Sequence, residues 1–113
     1  MSEFTFLFRG RDRTTSPDQM QKTMQRWVAW FKEMNEKGQI KDPGHPLAVE
    51  GKVVNGMQKT VHDGPFAEAK DVVGGYIIVE AKDLYQAVEI SKGCPILEIG
   101  GSVEVRPIEI VNM

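Results

Sequence analysis

The side chains in this chain most able to do chemistry fall in two short stretches. His62-Asp63 leads directly into Gly64-Pro65-Phe66, and Glu68 and Lys70 follow within seven residues of Asp63. Glu104 and Arg106 stand two apart near the C-terminal end. A histidine beside a carboxylate is the raw material of acid–base catalysis, with Asp63 as base or acid and His62 polarising a reacting group. Lys70 and Arg106 supply cations for an anionic or carbonyl-bearing ligand, and Glu68 a carboxylate at the rim of such a cleft. Each group also has a plainer reading. If a strand runs through both, His62 and Asp63 point to opposite faces and form no pair. Asp63 would equally serve as a turn aspartate bonding a downstream amide, because proline stiffens the backbone after Gly64. Glu68 with Lys70 is then a solvated charge pair, and Arg106 a surface or interface residue.

Other chemistries find little support. His45, His62, Asp63, Asp71 and Cys94 show no ligand spacing such as a histidine pair one helical turn apart, so no metal site is expected. Cys94, flanked by Gly93 and Pro95 with no base beside it, reads as a small buried side chain. Gly100-Gly101 lacks the lysine and spacing of a phosphate loop, and no cofactor is expected.

The elements that must position these groups follow from hydrophobic periodicity. Phe4, Phe6 and Phe8 alternate with Thr5, Leu7 and Arg9, which predicts a strand with one aromatic face. A loop over Gly10 to Ser16 precedes a helix whose start is marked by Ser16 as N-cap, Pro17 at the first position and Gln19 completing a capping box. Met20, Met24, Trp27, Val28, Phe31 and Met34 form its expected apolar stripe, with Trp30 on the flank, under a loop, against a second subunit or, less often, lining a ligand cleft. Gly38 is the stop. Asp42-Pro43-Gly44-His45-Pro46 reads as turn material, followed by strands over Leu47 to Val54 and Met57 to His62 joined at Asn55-Gly56. Tyr76 to Val79, apolar on both faces, is expected to be central. Asp83 caps a second helix with Leu84, Ala87, Val88 and Ser91 on one face. Gly93 and Pro95 end it, and Ser102 to Ile110 is a last strand interrupted by Pro107.

Strand, helix, two or three strands, helix, strand is the order of an α+β, ferredoxin-like split βαβ arrangement with an antiparallel sheet. Its helices cover one face only. The row of Phe4, Phe6 and Phe8, or the row opposite, then needs another cover, and a second copy of the same sheet predicts a homodimer. At 113 residues the chain is one domain over 1–113. A formal net charge of −2 gives no footprint for nucleic acid, and no apolar run is long enough to cross a membrane. No basic-then-apolar leader is seen, so a cytoplasmic location is expected.

Asp63-Gly64-Pro65-Phe66-Ala67-Glu68-Ala69-Lys70, then Gly74-Gly75-Tyr76, Gly93-Cys94-Pro95, Gly100-Gly101 and Glu104-Val105-Arg106-Pro107, together resemble the YCII-related family, specifically its DGPF branch. The resemblance runs from Phe4 to Ile110. It implies a dimeric α+β barrel and a small-molecule site at the dimer cleft. The chemistry it implies is a lyase- or hydrolase-like acid–base step of the kind a distant relative performs as a dehydrochlorinase on a chlorinated hydroquinone. Asp63 is carried over as the first position of the motif; Glu68, Lys70 and Arg106 match recurring positions. His62 is particular to this chain, since the branch usually carries threonine, valine or arginine there. The histidine that shorter relatives place early in the chain has no counterpart before His45. The resemblance equally admits a non-catalytic ligand-binding or regulatory module linked to an extracytoplasmic-function sigma factor.

Overall fold

A computed structural model describes residues 1–10, 16–64 and 71–112 of the chain. The first strand, β1 (Ser2–Arg9), is followed by helix α1 (Pro17–Glu36), strands β2 (Ile40–Pro46), β3 (Gly51–Asn55), β4 (Thr60–Gly64) and β5 (Val73–Ala81), helix α2 (Leu84–Ser91), a 3-10 turn over Pro95–Ile99 and strand β6 (Ser102–Pro107). Four strands form one antiparallel sheet in the order β2-β5-β1-β6, while β3 and β4 form a separate two-stranded sheet. With β3 and β4 set aside, this is the ferredoxin-like α+β topology that the element order predicted.

Local signals at the helix ends behave as expected. Ser16 Oγ accepts the Gln19 amide at 3.3 Å with proline at the first helical position, and Asp83 Oδ1 accepts the Gln86 amide at 2.8 Å. The Gly10 to Ser16 loop lies for the most part outside the described residues.

Phe4, Phe6 and Phe8 settle which face of the sheet the helices cover. All three are buried, in register with Val79, Ile77 and Gly75 of β5, and join Trp30 and Met34 of α1 and Ala87 of α2 in one core. Val105 and Val103 of β6, opposite Phe6 and Phe8, pack against the same core. Thr5, Leu7 and Arg9 therefore look out from the other face.

Three expectations need correction. The buried side of α1 is centred on Trp30 and Met34, flanked by the partly buried Trp27 and Phe31, whereas Met20, Met24 and Val28 are exposed. Aromatic packing explains the rotation: the Trp30 ring stacks on Phe6 at 6.4 Å and meets Phe8 edge-on at 6.2 Å, so the largest side chains take the sheet. In α2 the buried residues are Ala87 and Ser91, with Leu84 and Val88 exposed, because small side chains let a short helix approach the sheet closely. The stretch from Asp42 to Pro46 is not a turn but part of β2. It is an edge strand whose register slips between Ile40 and Asp42 and again between Asp42 and His45. Edge placement and bulging tolerate its two prolines. The turn chemistry survives inside the bulge, where Asp42 Oδ1 accepts the Gly44 amide at 2.8 Å. Similarly, β6 ends at Pro107, and Pro95 opens a 3-10 turn that buries Cys94 and Ile96 beneath it.

Candidate functional site

The strand register gathers polar side chains on the uncovered face of the sheet. One row across it holds His45, Tyr76, Leu7 and Glu104; the next holds Asp42, Ile78, Thr5 and Arg106. The His45 and Tyr76 rings meet edge-on with centroids 6.4 Å apart. At the opposite edge, Glu104 accepts from Arg9 Nη2 at 3.1 Å and from Arg106 Nη1 at 3.3 Å. These two guanidiniums, Arg106 first, hold the Glu104 carboxyl below its usual range. A lowered carboxyl pKa adds stability above the ordinary carboxylate range and loses it as pH falls through the lowered value.

The hairpin places the other candidates. Asp63 lies in β4 opposite Lys52, and His62 opposite Val53, so the two side chains point to opposite faces. The turn reading of Asp63 is thereby replaced, since the strand continues through it to Gly64. Asp63 pairs with Lys52, its side chain 90% exposed in the single chain. Glu68 and Lys70, together with Phe66, lie outside the described residues. Arg106 sits on β6, the far edge of the main sheet from β2, where the chain leaves for the hairpin. One chain alone does not assemble Asp63, His62 and Arg106 into a single cluster.

What sequence reasoning missed is a cleft on the helix side. Its volume is about 370 Å³, and it lies between α1 and the β2–β5 edge. Met20, Thr23, Met24, Trp27 and Phe31 form one wall, Pro43, His45 and Pro46 another, and Ile96 and Ile99 close an end. Gly74 and Gly75 contribute to the floor. A side chain at Gly75 would meet the His45 carbonyl oxygen at 3.2 Å, Pro46 Cα at 3.3 Å and the Phe8 ring at 3.8 Å. The glycine pair of the Gly-Gly-Tyr motif thus keeps backbone close to backbone beside an apolar hollow. His45 and Tyr76 border the cleft as well, but the strand register turns their side chains to the uncovered face. The size and lining suit a small, flat, largely apolar ligand.

A family model for the YCII-related domain matches residues 4–112, nearly the whole chain. The chain belongs to the YCII-related family. Among solved structures, the chain is similar to 5-chloro-2-hydroxyhydroquinone dehydrochlorinase from Burkholderia phenoliruptrix AC1100, in complex with 2,5-dihydroxybenzoquinone. The two are 17% identical over 95% of this chain and 93% of that one, with a TM-score of 0.47. Among curated proteins, no match is found.

Cys94, the one cysteine of this YCII-related chain, is buried, and burial pushes its thiol up to about 12. It stays protonated near neutrality and is no nucleophile. No helix among the described residues is long and apolar enough to cross a membrane.

Proposed function

We propose that this YCII-related chain binds a small aromatic molecule in the cleft between α1 and the β2–β5 edge and acts on it by lyase- or hydrolase-like acid–base chemistry. The observation that carries this reading is the apolar hollow itself, floored by Gly74 and Gly75 and bordered by His45 and Tyr76. Asp63, the first residue of the motif, is the proposed acid–base group, since the described walls of the cleft are apolar. The apolar walls position the ring and exclude water from it.

The reading includes two copies of the chain meeting through the uncovered sheet face. That face is self-complementary. Turned over on itself about an axis parallel to the strands, it lays His45 over the partner's Glu104 and Asp42 over the partner's Arg106. Leu7 then falls over the partner's Tyr76, which suits a sheet-to-sheet contact.

The exposed, ion-paired state of Asp63 and Arg106 supports a second reading, a ligand-binding or regulatory module without turnover, such as one partnering a sigma factor. One titration separates the two. With 2-naphthol as probe, the wild-type protein is expected to bind, and Met24→Trp, which places bulk on the exposed rim, to bind at least about tenfold more weakly. Leu84→Ala, on α2, should leave binding unchanged. Equal binding by wild type and Met24→Trp would sink the cleft as the site. Acid–base turnover on any ligand found this way should fall by about 100-fold or more in Asp63→Asn. Binding without turnover selects the regulatory reading.

A further inference from the structure

The β3–β4 hairpin stands apart from the four-stranded sheet. Its strands pair with each other and with no third strand among the described residues. It leaves the main sheet at Leu47, whose amide donates to the Gly74 carbonyl at 2.8 Å, and beyond that point it has no sheet to lean on. The whole chain is correspondingly spread out, with extents of 46 × 46 × 18 Å and a radius of gyration of 15.7 Å. A compact domain of this size would have about 13 Å. A lone two-stranded hairpin is at best marginally stable in water, so an arm of this kind calls for a surface to lie on. It also carries apolar side chains for one: Val54 and Val61 face each other across the hairpin at 63% and 60% exposure, and Met57 at its tip is fully exposed.

We infer that this arm docks on a second copy of the chain through the face that carries Val54, Val61 and Asp63. The inference rests on the two-copy assembly proposed above and goes further, because it assigns the arm to the interface. Area is one argument. Four strands spaced about 4.8 Å apart and six residues long offer a footprint of roughly 400 Å². A stable interface needs about 800 Å² from each partner, so the sheet face alone falls short. An arm of two five-residue strands adds roughly 170 Å², and each copy both gives an arm and receives one, which brings the contact close to that size. Direction is the other argument. A two-fold axis across the strands would set β2 over the partner's β2 and point the arms away from each other into water. An axis along the strands sets β2 over the partner's β6, so each arm leaves its own sheet beside the start of the partner's β6 and the turn before it. There the exposed Leu97 offers Val54 and Val61 an apolar counterpart. Only the second arrangement covers the arm.

Sedimentation and hydrogen exchange together test this. The wild-type chain is expected to be a dimer at 10 µM, with amides of 52–63 protected at least about 100-fold over free peptide and losing that protection on dilution below the dissociation constant. The Val54→Asp/Val61→Asp variant should keep its circular dichroism and thermal transition and dissociate at least about 100-fold more readily. A wild-type monomer at 100 µM overturns the assembly and the arm together. A wild-type dimer with unprotected arm amides overturns the arm alone and leaves the sheet-face dimer standing. Protection is read on the unmutated chain, so a misfolded variant does not obscure the answer.

Discussion

Gly44→Ala is expected to destabilise this protein by about 4 kcal/mol, most of the cost coming from one collision. Gly44 sits in the bulge of β2 at φ +60°, a region costing a residue with a side chain about 1–2 kcal/mol. A methyl group there would overlap the Tyr76 carbonyl oxygen outright and approach its carbon to 2.7 Å and Ile77 Cα to 3.2 Å. Those are backbone atoms of the central strand, so nothing can swing aside, and β2 must peel from β5. Gly38 provides the matched control. It also has positive φ, at +68°, but a side chain there meets nothing within 4 Å. Gly38→Ala should therefore cost only the conformational share, about 1 kcal/mol. Urea denaturation of the two variants reads the difference directly. A chain of this length has roughly 6–17 kcal/mol in total, so the Gly44 change should lower the melting temperature by about 15 °C or more. Equal losses in both variants would mean that β2 does not pack on β5 as described.

Gly44 also marks the limit of what the sequence made legible. Signals that act within a few residues were readable: the Phe4-Phe6-Phe8 alternation, the Ser16 and Asp83 caps, the central, doubly apolar β5 and a hairpin near Asn55-Gly56, although Asn55 pairs with Thr60 within the ladder and the turn runs over 56–59. The strand over Ile40–Pro46 was not, because prolines and an Asx turn inside a bulge have the same local chemistry as a loop. Only the pairing with β5, far away in sequence, decides between them. The cleft was hidden for a related reason. Its walls come from α1, β2, β5 and the Pro95–Ile99 turn, which share no local pattern. The motif that marks the family was legible as a string, but its side chains part company in space: Gly75 floors the cleft, Asp63 rides on the hairpin and Arg106 stands on the far edge. A motif read along the chain gives no distance across it.

The helix face is the sharpest case, and it yields the last prediction. Helical spacing alone favours a stripe through Met20, Met24, Trp27, Val28, Phe31 and Met34, whereas the structure centres the buried side of α1 on Trp30 and Met34 and leaves Met20, Met24 and Val28 exposed. The periodicity fits both, since the two stripes overlap at Trp27, Phe31 and Met34. What decides is the aromatic floor that β1 presents: Phe6 stacks on Trp30 with rings 15° from parallel, and Phe8 packs edge-on against Trp27 at 5.0 Å. Indoles gain more by covering that floor than methionines and valine would, and the methionines are left for the cleft. Trp30 also touches the end of α2, where a side chain at Gly93 would come within 2.9 Å of Trp30 Nε1, so it ties both helices to the sheet. Trp30→Ala should accordingly cost about 3–5 kcal/mol through lost contacts and the cavity left behind. Val28→Ala, one helical turn down the discarded stripe, should stay within about 0.5 kcal/mol of wild type. The pair of midpoints in urea, at unchanged slope, checks the rotation of α1 without any ligand or partner. A Val28 loss as large as that of Trp30 would restore the stripe read from spacing alone and close the cleft with it.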